Sequence, residues 1–306
     1  MTDLREHTSW VAVDWGTTNL RVWFMDETNA VLDQVSTEQG MGTLSRDAFE
    51  PALIAALAPV LSDTRVLPVV CCGMVGSRQG WVEAPYAAVP VSPLNTQNVV
   101  TVPTTDPRIC AFILSGIKQV TPPDVMRGEE TQIAGVLRAY PDFSGCICLP
   151  GTHTKWAMVS DGKLTKFNTF MTGEIYALLS KQSVLRHSVD GAACDEAGFV
   201  QGVRTSVAAP EMVAASLFGI RAGDLVLDRM GDVSNGLLSG YLIGAEIAAM
   251  RNDLNSSPVV IAGASKLSAL YAQALATIDI SADIHDGEAC TLDGLIAGYE
   301  LLKDTI

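Results

Sequence analysis

One order of elements is written twice along this chain, and it leaves few architectures open. Trp10–Trp15 (WVAVDW) is a strand-like run broken by Gly16, Thr17, Thr18 and Asn19. The next run, Leu20–Met25, alternates apolar and polar positions around Arg21, and a third, 31–35, follows a turn at 26–29. Together they predict an antiparallel meander. Residues 46–61 have the apolar spacing and Ala/Leu content of a helix, with Ser45 as its N-cap. A buried strand is predicted over 66–72, ending in the glycine-rich Gly73-Met74-Val75-Gly76-Ser77.

The second copy begins with a short apolar strand at 146–149, broken by Pro150-Gly151-Thr152-His153-Thr154. Strands at 155–159 and 164–170 follow, joined by the tight-turn pair Asp161-Gly162. Helices are predicted at 173–184 and 240–254, then a buried strand at 258–261 that opens into Gly263-Ala264-Ser265. A helix at 266–278, a strand at 282–285 and a helix at 291–303 close the chain. Two copies of a meander, a helix, a strand and further helices describe a duplicated α/β domain, with the two Gly-Thr hairpins facing each other across a cleft.

Composition narrows the function. Of 306 residues 48% are hydrophobic and 18% charged, which suits a folded globular chain. A formal net charge of −14 leaves no basic stripe for nucleic acid or an anionic membrane. An anionic small molecule must therefore be held by a few local cations. The cysteines (Cys71, Cys72, Cys110, Cys146, Cys148, Cys194 and Cys290) are odd in number and form no CxxC pair. They predict reduced, buried thiols and hence a cytoplasmic protein. The polar start MTDLREHTSW and the absence of an 18-residue apolar run point the same way.

Four segments carry candidate chemistry. In Asp14-Trp15-Gly16-Thr17-Thr18-Asn19 the glycine admits a phosphate close to the backbone, and the hydroxyls and N–H groups offer donors. Asp14, at a strand end, is placed to hold Mg²⁺ through water; the plainer reading is a β-turn with a capping Asp. Gly151, Thr152, His153 and Lys155 repeat that turn in the second half. There His153 could be a turn residue and Lys155 a solvated strand residue. Gly263, Ala264 and Ser265 offer exposed backbone to a planar base, or simply allow strand and helix to pack closely. Met126-Arg127-Gly128-Glu129-Glu130 opens a helical run, where acidic residues suit the helix dipole. Standing just before the second turn, such a carboxylate could also take a proton from an attacking hydroxyl.

The order DWGTTN (14–19), MRGEETQ (126–132), PGTHTKW (150–156) and IAGAS (261–265) resembles the phosphate-1, connecting, phosphate-2 and adenosine segments of the actin/hexokinase/Hsp70 superfamily. More specifically, GMVGSRQGW (73–81) with APY (84–86), MRGEETQ, PGTHTKW and TGE (172–174) is similar to the 2-dehydro-3-deoxygalactonokinase family. The resemblance runs from Trp10 to the C-terminus. Rossmann and P-loop readings fail for want of their glycine patterns.

The resemblance implies two duplicated ribonuclease H-like (actin-like ATPase) lobes, 1–138 and 139–306, with an interlobe cleft. It also implies transfer of the ATP γ-phosphate, with Mg²⁺, to the 6-hydroxyl of 2-dehydro-3-deoxy-D-galactonate. Asp14 would stand in the metal shell, with Gly16, Thr17, Thr18, Asn19, Gly151, Thr152, His153 and Lys155 on the phosphates. Gly263, Ala264 and Ser265 would border the adenine. Sugar kinases of the superfamily commonly carry Asp at the catalytic position; this chain offers Glu129 and Glu130, and the base is one of the two. Arg127 and Arg78 are the candidates for the sugar acid's carboxylate. Gly73, Met74, Ser77 and Gly80 would shape the sugar pocket, as would Trp81 unless it is a packing residue. The competing functions are a kinase of another sugar, polyol or hydroxy acid, and a non-enzymatic actin-like ATPase.

Overall fold

The computed structural model describes residues 4–189, 193–255 and 257–303. It divides into two compact units, one of Met1–Phe143, Ser160–Lys166 and Glu288–Ile306, the other of Ser144–Val159 and Phe167–Gly287. The division thus falls at 143/144 rather than 138/139, and the last segment of the chain groups with the first unit.

In the first unit, α1 (Leu4–His7) precedes a sheet built from β1 (Trp10–Trp15), β2 (Leu20–Met25), β3 (Val31–Thr37) and β4 (Leu67–Gly73). The chain continues through β5 (Ala87–Ala88), β6 (Val100–Thr101), β7 (Ile109–Ile113), β8 (Ile117–Gln119) and β9 (Asp124–Met126). The large sheet has the order β3-β2-β1-β4-β7-β6, and β5, β8 and β9 form a small separate one. β1 and β2 are antiparallel, as are β2 and β3, whereas β4 runs parallel to β1 and β7 parallel to β4. Alternation along β1 sends Val11, Val13 and Trp15 to one core, where α2 (Phe49–Leu57) contributes Phe49 and Leu53. Trp10 and Ala12 point to the other face.

Helix α2 is shorter than its pattern predicts. Residues 46–48 form a 3₁₀ turn, and Ser45 Oγ bonds Asp47 Oδ1 at 2.6 Å instead of capping the helix. Two prolines set the limits. Pro51 is tolerated only in a helix's first turn, and Pro59 has no N–H to extend the helix, although Ala58 keeps helical φ −48° and ψ −36°. After the small sheet comes α3 (Glu129–Ala139).

The second unit repeats the plan with β10 (Gly145–Leu149), β11 (Thr154–Ser160), β12 (Lys163–Phe170), β13 (Val259–Gly263) and β14 (Ala282–Asp286). Their order is β12-β11-β10-β13-β14, with β10/β11 antiparallel and β13 parallel to both β10 and β14. Its helices are α4 (Thr172–Lys181), α5 (Glu196–Ala208), α6 (Val213–Leu227), α7 (Gly231–Leu254) and α8 (Ser265–Ala276). Cys146 and Cys148 face one core with Trp156, Phe199, Ile243 and Tyr271. The cysteines among the described residues are free thiols, with Cys110 and Cys194 only partly buried.

The periodicity argument does not reach α5, α6 or the first half of α7. Glycines in α7 let α5 and α7 touch backbone to backbone. A Cβ on Gly240 would stand 2.2 Å from Phe199 O, and one on Gly236 2.3 Å from Asp195 O.

The last helix, α9 (Gly287–Leu302), covers the second face of the first sheet. Leu295 and Ile296 pack with Trp10, Ala12 and Val70, and Tyr299 stacks on Trp10 with 4.2 Å between ring centroids. These contacts hold the chain's end in the first unit.

Candidate active site

In the first unit, cross-strand register fixes the first carboxylate. Asp14 lies opposite Arg21 on β2 and Cys72 on β4. Arg21 Nη2 donates to Asp14 Oδ2 at 2.5 Å, and its Nη1 reaches Glu288 Oε2 at 3.0 Å. Burial pushes the Asp14 carboxyl above its usual range, against the pull of Arg21.

A cavity of about 160 Å³ opens beside Asp14, lined also by Gly16, Gly73, Met74, Arg127, Gly128, Glu129, Gln132 and Thr291. Two glycines make its floor possible. Gly73 has φ +89° and Gly128 φ +105°, conformations that favour glycine. A Cβ on Gly73 would also stand 2.7 Å from Trp15 O.

The two glutamates separate by burial. Glu129 lines the cavity, and its Oε2 accepts from Arg127 N at 3.0 Å. Glu130 is fully buried, accepts from Gly128 N at 2.7 Å, and is pushed up to about 7 by burial and by Glu129. It holds the turn from behind, away from the cavity.

Arg127 is nine-tenths buried. Its Nη2 donates to Ala84 O at 2.7 Å, and the guanidinium lies over the Tyr86 ring at 4.3 Å. Gly76 clears space for it, since a Cβ there would meet Nη1 at 2.8 Å. Nε and Nη1 have no hydrogen-bond partner. Hence the guanidinium does not pair with Glu129 or Glu130, and the APY and GMVG segments together form its socket.

The other candidates of this unit fall elsewhere. Arg78 is 82% exposed and forms a 3.7 Å surface pair with Glu83. Trp81 belongs to the core, stacked with Phe49 and edge-on to Trp15. Ser77 is buried with an unpartnered Oγ. Thr17, Thr18 and Asn19 are exposed at the hairpin tip, whose carbonyls are tied to Gly40 and Gly42.

In the second unit, Gly151 and Thr152 line a cavity of about 400 Å³ with Thr172, Gly173, Tyr176, Asn235, Leu242, Leu270 and Tyr271 among others. The turn and the first turn of α4 are locked together. Glu174 N donates to Thr152 O at 3.0 Å, and His153 Nε2 lies 2.5 Å from Glu174 Oε2. Lys155 is buried with Nζ 3.4 Å from His153 O. Gly263, Ala264 and Ser265 do not line this cavity; Leu267, Leu270 and Tyr271 of the following helix do.

The sequence reading misses Tyr176, Asn235, Ser239 and Leu242. The spacing 235, 239, 242 marks one face of a helix, visible only once α7 is known to begin at Gly231. It also misses Glu246, buried under the cavity wall.

Two sheets of matching strand order, each opening with a Gly-Thr hairpin, define the actin/hexokinase class of two-lobed ATPases and kinases. Within that class the assignment is specific. The profile of the 2-keto-3-deoxy-galactonokinase family matches residues 14–297. The 2-dehydro-3-deoxygalactonokinase of Escherichia coli (strain K12) is 34% identical over 276 residues, covering 87% of this chain and 88% of that one. A candidate enzyme of the same name from Rhizobium meliloti (strain 1021) is 36% identical over 295 residues, covering 94% and 95%. A crystal structure of a candidate 2-dehydro-3-deoxygalactonokinase from Sinorhizobium meliloti superposes with a TM-score of 0.90 at 34% identity, covering 96% and 99%. The chain belongs to the 2-keto-3-deoxy-galactonokinase family.

Proposed function

We propose that this protein is an ATP-dependent kinase that transfers the γ-phosphoryl group to the 6-hydroxyl of 2-dehydro-3-deoxy-D-galactonate. Beyond family membership, one observation carries the reading. Arg127, whose guanidinium is buried with Nε and Nη1 unpartnered, lines a small cavity that Asp14 and Glu129 also line. A sugar acid needs such a group, because a planar fork matches a carboxylate with two parallel bonds. A neutral polyol does not, and a non-enzymatic ATPase has no use for it.

Each residue then has a task. Arg127 binds the substrate carboxylate, and Glu129 orients and deprotonates the attacking hydroxyl. Gly73 and Met74 shape the pocket. Glu130, being buried and bonded to Gly128 N, positions the loop. Gly151 and Thr152 meet the phosphates, with Lys155 supporting the turn, and the 400 Å³ cavity accepts the nucleoside. Gly16, Thr17, Thr18 and Asn19 supply the phosphate contacts of the first hairpin.

Asp14 fits Mg²⁺, which commonly takes one or two carboxylates and fills its shell with water and phosphate oxygens. Arg21 engages Oδ2, while Oδ1 accepts a long hydrogen bond from Cys72 Sγ at 3.9 Å. Bound there, the ion would neutralise phosphate charge. Arg21 keeps the carboxylate aimed.

Phosphorus NMR of a reaction with ATP, Mg²⁺ and the acid tests the reading. A phosphomonoester coupled to the C6 methylene protons supports it. Phosphorylation at another carbon, or none, contradicts it.

A further inference from the structure

We infer that Glu246 is a positioning residue for the nucleotide, holding the 150–154 turn, the first turn of α4 and helix α8 as one wall of the larger cavity without touching the ligand. The inference rests on that cavity being the nucleotide site.

Glu246 lies in the middle of α7 and is 1% exposed. No ion pair reaches it among the described residues. An unpaired buried carboxylate is expensive, and an apolar residue of similar size would pack there at lower cost. What it has instead of a cation is a set of donors from three other elements. Trp156 Nε1 of β11 donates to Oε1 at 2.5 Å. Thr172 Oγ1, at the start of α4, donates to Oε2. Tyr271 OH of α8 donates to Oε2 at 3.0 Å.

With Glu246 ionised, the direction of these bonds is fixed. An ionised carboxylate only accepts, so each of the three groups must point its hydrogen inward. Tyr271, its proton committed, can only accept from Thr154 Oγ1 at 2.8 Å. Thr154 Oγ1 then accepts from Gly151 N at 3.4 Å. One carboxylate thereby orients a chain of donors that ends in the turn itself. Gly151, Thr172 and Tyr271 all line the cavity, whereas Glu246 does not.

Burial pushes Glu246 up to about 7, and the same burial raises the neighbouring Tyr271 hydroxyl and the Cys148 thiol above their usual values. An amide in place of the carboxylate sets an N–H₂ against groups that must donate. Shape is kept and the bond directions are broken.

The test measures ADP affinity by calorimetry, KM for the sugar acid, and Tm. Glu246→Gln should weaken ADP binding about 10-fold and leave the sugar acid's KM within twofold. Thr154→Val, which cuts the relay to the turn, and Tyr271→Phe, which also removes a donor to Glu246, should each weaken ADP about 3-fold or more. If Glu246→Gln does not fold, these two carry the test. A lower Tm with unchanged ADP affinity in all of them would overturn the inference and leave Glu246 a packing device. Leu270→Trp, which fills the cavity from its partly exposed wall, separates the two claims. Loss of ADP binding there with normal binding in Glu246→Gln refutes the inference alone. Normal ADP binding in Leu270→Trp refutes the nucleotide site, and the inference with it.

Discussion

Replacing Arg127 by Ala should raise KM for the sugar acid about 10²-fold while KM for ATP stays within twofold. The magnitude follows from the socket. Nε and Nη1 are already stripped of partners, so much of the guanidinium's desolvation cost is incurred on folding rather than on binding. A charge-assisted hydrogen bond contributes about 1.5–3 kcal/mol. Two such bonds, less the desolvation of the incoming carboxylate, leave about 3 kcal/mol, or roughly two orders of magnitude. Stability should change little. The variant loses the bond to Ala84 O and the contact with Tyr86, but it also removes two buried unpaired donors. Arg127→Lys should recover only part of the affinity, since it supplies charge without the fork. The assay is coupled ADP release with the acid varied at saturating ATP, alongside a neutral six-carbon sugar. The advantage of the acid over the neutral sugar should shrink in Arg127→Ala. Arg78→Ala, a change in an exposed ion pair, should leave both constants near wild type. An unchanged acid KM in Arg127→Ala, with a raised one in Arg78→Ala, would refute the reasoning and move the carboxylate site to the glycine-rich loop.

Asp14→Asn should lose nearly all turnover while keeping a cooperative thermal transition; near-normal kcat at ordinary Mg²⁺ would remove Asp14 from the site. Glu129→Gln should lower kcat by about 10²-fold or more with little change in ATP affinity. Glu130→Gln should act mainly on stability, and the reverse pattern in kcat would show that Glu130 is the base. Burial raises Glu130 from 4.5 to about 7, so its contribution to stability is present below pH 4.5 and is lost as pH rises through 7. Relative to wild type, Glu130→Gln should therefore gain stability between pH 5 and pH 8, by about 3 kcal/mol at most. Urea unfolding at the two pH values measures it, and a pH-independent difference would contradict the assignment.

Much of the architecture is legible in the sequence because the meander is local. Leu20–Met25 must pair with Trp10–Trp15 through a four-residue turn, and the same geometry recurs at 150–153. Helix limits are less legible, since they depend on where Pro51 and Pro59 can be tolerated rather than on the apolar period. The α5–α7 pair is hidden for a different reason. Gly236 and Gly240 weaken a helix locally, and only the backbone of a neighbour explains them. At the site, the motif MRGEETQ identifies the right residues without ranking them. Adjacent glutamates point in different directions from a helix start, and only burial tells Glu129 from Glu130. Arg127 reads equally well as a surface ion pair until Ala84 and Tyr86 are seen to enclose it. Trp81 resolves to the core, beside Phe49 and Trp15. Glu246 carries no signal at all, because a single acid in a long helix looks like a solvated position.

The central claim, that a buried arginine makes this chain a kinase of a sugar acid, meets its most direct test in substrate selectivity. Coupled ADP release should be measured on 2-dehydro-3-deoxy-D-galactonate, its C4 epimer, simple aldonates and free sugars, with wild type and Arg127→Ala side by side. The account predicts that the 2-keto-3-deoxy acids outperform neutral sugars in kcat/KM with the wild type, and that Arg127→Ala removes most of that margin. Equal turnover of neutral sugars by the wild type, or ADP release that no added acid stimulates, would contradict it.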